Sequence, residues 1–271
     1  MFNYDIRTPD LAYETFYKLM PTKKGEFLNE LICDCNNDFD VFINKNTQLV
    51  EMIDLSQIHF IAFHVTTSRI SCADIKRFGL CSLRKVLSEP TDLREFLNKY
   101  NLMFSESNNT MTYNSVEYDI DYSHYENSKC TLKSIAHKYC YDPQVNAFWA
   151  CNDVTSYGTD IHKHPEFFIQ LEKFDPIFAK ASHEWEHDSE TYILTFYANF
   201  EQLAWFTLYD SEQAYCFDKT RNRFEAKCKL LKMAYARMVM DYNDSVKIYM
   251  YVDINSIIYP EQIIHYKKLT Y

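Results

Sequence analysis

Phe60-Ile61-Ala62-Phe63-His64-Val65-Thr66-Thr67 ends an apolar run on an imidazole and follows it with two hydroxyls. Histidine changes charge near neutral pH, and its neutral ring both donates and accepts a hydrogen bond. A polar ring at the end of an apolar strand sits where side chain and backbone can both face a cleft. The same placement also suits a core histidine with one satisfied ring nitrogen, so its neighbours must decide. A second string, His183-Glu184-Trp185-Glu186-His187, satisfies H-E-x-x-H. On a helix it would set both imidazoles on one face, with Glu184 as general base to a zinc-bound water. Functional versions are buried and keep charges out of the interior of the motif. Here Glu186 lies inside, and Asp188, Ser189 and Glu190 follow. An exposed acidic turn without a catalytic metal is the expectation, and a zinc hydrolase is the third-ranked reading. His162 and His164 could join a metal cluster but read as a solvated pair. The nine cysteines are scattered, and Cys33 and Cys35 form C-x-C with no C-x-x-C pair to complete a zinc ribbon. They read as free or buried thiols in a reducing cytoplasm.

The elements that position these residues follow from periodicity. Residues 58–67 are apolar and β-prone and predict a buried strand. A short helix over Ser71–Phe78 stops at Gly79. Thr8-Pro9 opens an N-terminal helix, and Thr91 caps another. Residues 34–48, rich in Asp and Asn, read as an irregular polar connection. The Asn- and Ser-rich stretch 105–128 reads as an insertion or mobile loop with one strand near 115–120. Further strands are expected at Phe148–Cys151, Thr191–Tyr197, Ala214–Phe217 and Val246–Val252. Helices are expected at Pro165–Phe174, Glu201–Tyr209 and Arg221–Tyr242. Strands and helices mix without regular βαβ alternation, so the class is α+β.

Composition removes several functions. Three glycines cannot supply G-x-G-x-x-G with its supporting turns, and G-x-x-x-x-G-K-[ST] is absent, which excludes a standard Rossmann site and a P-loop. A net charge of −10 disfavours binding duplex nucleic acid through a broad basic face. Nothing reaches the apolar length of a membrane span, and residues 1–10 lack a basic start and apolar core, so a cytoplasmic protein with no membrane partner is expected.

Phe63-His64-Val65-Thr66, followed by Ile75 and Gly79-Leu80, resembles the first motif of the ADP-ribosyltransferase superfamily, in its histidine class. That superfamily includes the poly-ADP-ribose polymerases, diphtheria-type toxins and DNA-modifying toxins. Its members carry a strand of the form hydrophobic-His-x-Thr or -Gly, then a helix with an Ile and a terminal Gly-Leu. The resemblance implies an ADP-ribosyltransferase-like split mixed β-sheet with flanking helices. Residues 1–55 would be an N-terminal helical segment packed on the main domain, and residues 56–271 the catalytic domain. It implies NAD as substrate and ADP-ribose transfer to a macromolecular acceptor, nucleic acid or protein. Toxin or anti-phage defence use, with an antitoxin or inhibitor protein as partner, follows from the habits of the family.

By the same resemblance, His64 would hydrogen-bond ribose hydroxyls of NAD. The backbone after it, at Val65, would grip the nicotinamide amide. Thr66 would support His64 or a ribose hydroxyl, with Thr67 beside it. The second position is a Tyr that stacks on nicotinamide near a Gly-containing turn, and Tyr157-Gly158-Thr159 fits it. A plain turn tyrosine is the alternative. The third is a Glu on a strand that stabilises the ribosyl cation. Glu190, before the Thr191 strand, is favoured over Glu201, Asp253 and Glu261. The tail lacks a clear Glu at its strand start. A catalytically degenerate, nucleotide-binding interaction module is therefore the second-ranked reading.

Overall fold

A computed structural model describes residues 1–125, 128–209, 214–215, 221–242 and 244–270. Its strands are β1 (Phe2–Tyr4), β2 (Ile58–Ser68), β3 (Leu102–Ser105), β4 (Thr110–Tyr113), β5 (Val116–Asp119), β6 (Asn146–Cys151), β7 (Glu190–Ala198), β8 (Lys247–Tyr251) and β9 (Ile263–Lys268). The main sheet has the order β8-β6-β2-β7-β9, with β1 on β2, and β3-β4-β5 form a separate sheet. The β1–β2 pair is parallel, whereas β7–β9 and the small sheet are antiparallel. With helices between the strands, the class is α+β. Among the described residues, no helix is long and apolar enough to cross a membrane.

The chain divides into two units, each assembled from separate stretches. One comprises Met1–Ala62, Phe148–Asn152 and Tyr197–Tyr251, and the other Phe63–Ala147, Asp153–Phe196 and Val252–Tyr271.

In the first unit, the Thr8 hydroxyl caps the Pro9–Leu19 helix by accepting from the Leu11 N–H. That helix packs on Arg223–Val239, the long amphipathic helix, which Asn222 caps. The aromatic load builds this core. Phe39 stacks on Tyr235 at 4.4 Å, Phe16 meets Phe27 at 4.6 Å, and Phe42 lies 5.1 Å from Phe27. Residues 34–48 are not an irregular connection. Asp38 accepts from the Asp40 and Val41 N–H groups and starts the Phe39–Lys45 helix, which buries Phe39, Phe42 and Ile43. Thr47–Glu51 is a further short helix. The Asp and Asn residues mark helix ends rather than a loop. Phe200–Gln202 and Trp205–Leu208 are short 3₁₀ segments, not the single helix expected over Glu201–Tyr209. Of the expected Ala214–Phe217 strand, Ala214 and Tyr215 are helical, and the remainder lies outside the described residues.

The second unit has its own core, which includes Phe96, Leu97, Met111, Ile135, Phe168 and Trp185. The stretch 105–128 contributes two strands and a turn to it rather than a loose insertion. Tyr113 pairs with Val116, and Asn114 and Ser115 between them take φ of 49° and 66°. Two left-handed residues in a two-residue connection match the twist of a hairpin, and Asn tolerates that region well. Gly79 ends the Ala73–Phe78 helix at φ +81°. A Cβ there would stand 2.2 Å from the Ile258 carbonyl oxygen. Leu80 and Ile258 then exchange backbone hydrogen bonds of 2.9 and 3.1 Å, which clamps the end of the motif to the chain before β9.

Candidate functional site

Strand periodicity divides the four residues expected to act together. His64 and Thr66 are half-buried and share one face of β2, while Val65 and Thr67 are buried on the other. Thr67 Oγ accepts the Trp185 indole N–H at 2.9 Å. Arg69, just past the strand, forks onto Asp92 with contacts of 3.0 and 2.6 Å. Its guanidinium also lies over the rings of Phe96 and Trp185, at 4.6 and 5.1 Å. Thr67 and Arg69 therefore hold the end of the strand in place. That leaves the His64–Thr66 face as the chemically open one. The Thr66 hydroxyl lies 3.5 Å from the Thr67 carbonyl, at the limit of a hydrogen bond.

His64 Nδ1 lies 2.7 Å from the Asn146 carbonyl oxygen at the start of β6. A carbonyl only accepts, so Nδ1 carries the proton and Nε2 of the neutral ring is an acceptor. Burial lowers the His64 pKa from its ordinary 6.5, and the Asn146 bond opposes the shift without reversing it. The ring is thus neutral at pH 7. The unfolded chain binds the proton more readily than the folded one. The His64 contribution is therefore intact above pH 6.5 and is lost as pH falls below that value towards the lower folded pKa. Denaturant unfolding between pH 5 and 8 should show this component in the native chain and lack it in His64→Gln.

Asn146 escaped sequence reasoning. Its carbonyl anchors His64, and its side-chain oxygen is buried without a hydrogen-bond partner. The only signal was a polar residue opening the apolar run Ala147–Ala150.

Tyr157 is half-buried in a turn, and its carbonyl accepts the Asp160 N–H at 3.2 Å. Gly158 has open space around its Cβ position, so close backbone approach does not require a glycine there. Glu190 is exposed at the first residue of β7. One carboxylate oxygen pairs with Lys268 on β9, and the other accepts the Tyr192 hydroxyl at 2.7 Å. Lys268, and then Tyr192, hold its carboxyl below the usual range. The partners described for His64 and Glu190 are different residues, reached from different strands. Glu201 pairs with Arg223, and Glu261 is exposed in the Pro260–Gln262 turn.

The H-E-x-x-H string is not a turn. It lies on the Ile177–Asp188 helix, whose buried stripe is Phe178, Ala181, Ser182 and Trp185. Spacing of three and four residues explains the helix, because these four positions fall on one face. His183 and His187 point to solvent on the exposed side. Glu184 accepts the Tyr100 hydroxyl at 2.7 Å, and burial, then Glu184, pushes the Tyr100 pKa up to about 12. Among the described residues, no group of three or more His, Cys, Asp or Glu is placed to hold a metal ion. Protein purified without chelator should carry far less than one zinc per chain, by elemental analysis. His183→Ala with His187→Ala should leave stability within about 0.5 kcal/mol, as for other exposed sites.

Comparison with protein-family models, with curated proteins and with solved structures finds no match to this chain.

Proposed function

We propose that the chain is an NAD-dependent ADP-ribosyltransferase with an ADP-ribosyltransferase-like sheet, acting on a nucleic acid or protein acceptor. The observation that supports this reading best is the fixed, neutral His64. Its Nδ1 proton is held by Asn146, so Nε2 is presented as an acceptor for a ribose hydroxyl. Thr66 lies on the same face, and Gly79-Leu80 is clamped behind the motif by Ile258. In this reading the nicotinamide–ribose C–N bond breaks with its electron pair leaving on nicotinamide. The ribose ring becomes oxocarbenium-like, and an acceptor nucleophile closes on it. Tyr157 would stack on nicotinamide, and Glu190 would stabilise the developing cation. Incubation of pure protein with labelled NAD and cell lysate, then nuclease or protease digestion, tests both transfer and acceptor class. His64→Ala should abolish labelling with its melting temperature within a few degrees of the parent. Unchanged labelling would remove His64 from the chemistry, and a large loss of stability would mark it as a packing residue.

A second reading, a nucleotide-binding interaction module without transfer, is favoured by Glu190. Both of its oxygens are engaged, by Lys268 and Tyr192. Saturable NAD binding that depends on His64, without release of nicotinamide, would select this reading.

A further inference from the structure

Arg237, on the Arg223–Val239 helix of the first unit, is 1% exposed, yet arginine stays protonated in proteins. Among the described residues, its Nε and Nη1 have no hydrogen-bond partner, and its Nη2 reaches the Arg7 carbonyl oxygen at 3.4 Å. Burial lowers its pKa, and Tyr242 and Asp244 oppose the shift. A buried ion without a counter-charge is strongly destabilising. The carboxylates around it are engaged elsewhere. Asp5 forks onto Arg7, Asp10 holds Tyr242, and one oxygen of Asp244 accepts the Asp241 N–H at 2.9 Å.

Arg7 immediately precedes Thr8, the cap of the 11-residue Pro9–Leu19 helix. The guanidinium is therefore aimed at a helix N-terminus, where peptide N–H groups and the helix dipole also favour negative charge. The Tyr242 hydroxyl marks the point between them. It donates to the Asp10 carboxylate in the first turn of that helix. Asp10, and then burial, push the Tyr242 pKa up, while the Asp10 N–H and Arg237 act against the rise. Amide and guanidinium thus both favour a negative charge at that point. Tyr242 itself is 54% exposed, so its ring can swing aside without opening the core. We propose that Arg237 and the N-terminus of the Pro9–Leu19 helix form a binding site for a phosphate group, which enters as Tyr242 moves out. Guanidinium nitrogens on one side and helix amides on the other surround a tetrahedral oxyanion, whereas a planar carboxylate is satisfied by one guanidinium edge. The group is inorganic phosphate or the phosphoryl end of a small phosphomonoester. The site shares no residue with that of His64, so neither proposal depends on the other.

Thermal unfolding of the full chain, in phosphate-free buffer with ionic strength held by chloride, reads the site. Inorganic phosphate at about 100 times its Kd should raise the melting temperature by roughly 5 °C, and equimolar acetate should not. Glycerol 3-phosphate in a parallel arm separates the two sources. An equal rise assigns a phosphomonoester, and no rise assigns the free ion. Arg237→Met should melt at or above the parent without phosphate, because it removes the uncompensated ion, and should gain nothing when phosphate is added. Asp10→Asn changes an exposed residue, keeps an oxygen for Tyr242 and leaves the core untouched. By removing a like charge it should lower the phosphate Kd about 3-fold, measured by titration calorimetry. The proposal is overturned by a parent indifferent to phosphate or equally responsive to acetate. It is overturned as well by an Arg237→Met chain that still responds, or that melts well below the parent in phosphate-free buffer, and by an Asp10→Asn chain with an unchanged Kd.

Discussion

Gly79→Ala is expected to lower the melting temperature by roughly 10 °C, from a loss of about 3 kcal/mol or more in a chain of this size. Two independent costs add. At φ +81° and ψ −173° the backbone occupies a region that residues with a Cβ avoid, at about 1–3 kcal/mol. The added carbon would also lie 2.2 Å from the Ile258 carbonyl oxygen, which is itself held by the Leu80 N–H. Backbone cannot step aside as a flexible side chain would, so the clamp between Leu80 and Ile258 must open. Gly158→Ala is the control, since nothing lies within 4 Å of its Cβ position. It should leave the melting temperature within about 2 °C or raise it slightly by restricting the unfolded chain. A Gly79→Ala protein that melts with the parent would show that the clamp is dispensable.

On the transferase reading proposed above, Glu190→Gln should reduce NAD turnover on the order of 10²-fold or more, by analogy with the loss of other electrostatic stabilisers. The reason lies in charge. Lys268 and Tyr192 keep Glu190 ionised, and it begins the strand paired with β9. A carboxylate on a rigid strand is a better stabiliser of a transient cation than one on a mobile turn. Glu201→Gln, Asp253→Asn and Glu261→Gln, measured beside it, should stay near the parent rate. Collapse of one of these with Glu190→Gln intact would move the carboxylate role to that residue. Full turnover in all four would leave the chemistry to His64 and Tyr157.

Several elements were legible because a single local cause dictates them. The Thr8 and Thr91 hydroxyls cap their helices as expected, and Gly79 stops its helix where a left-handed residue is required. The strands β2 and β7 follow from long β-branched and aromatic runs. Misreadings arose where polar residues serve ordered structure. Asp38 reads as loop in the sequence and is a cap in the fold, and Asn114-Ser115 is a hairpin turn rather than slack chain. The acidic string 183–190 hid a helix because its apolar residues are spread at three- and four-residue intervals around Trp185. The site was legible only in part. The period of a strand places His64 with Thr66 and turns Thr67 away, yet nothing local to residue 146 announces a carbonyl waiting for an imidazole 82 positions earlier. Such a partnership belongs to the pairing of strands, which a local pattern does not encode.

The Tyr4 hydroxyl donates to the Leu230 carbonyl across 226 residues, and the Phe39 ring waits for Tyr235. On a ribosome adding about 5–20 residues per second, that span takes roughly 10–45 s to produce. Until Tyr235 is made, the rings of Phe27 and Phe39 lack the partner that packs on them, although both are buried in the finished unit. The nascent chain therefore carries a sticky aromatic surface for far longer than a hydrophobic collapse takes. Its yield in a cell should depend more on holding chaperones, and on slower or cooler synthesis, than on the stability of the finished fold.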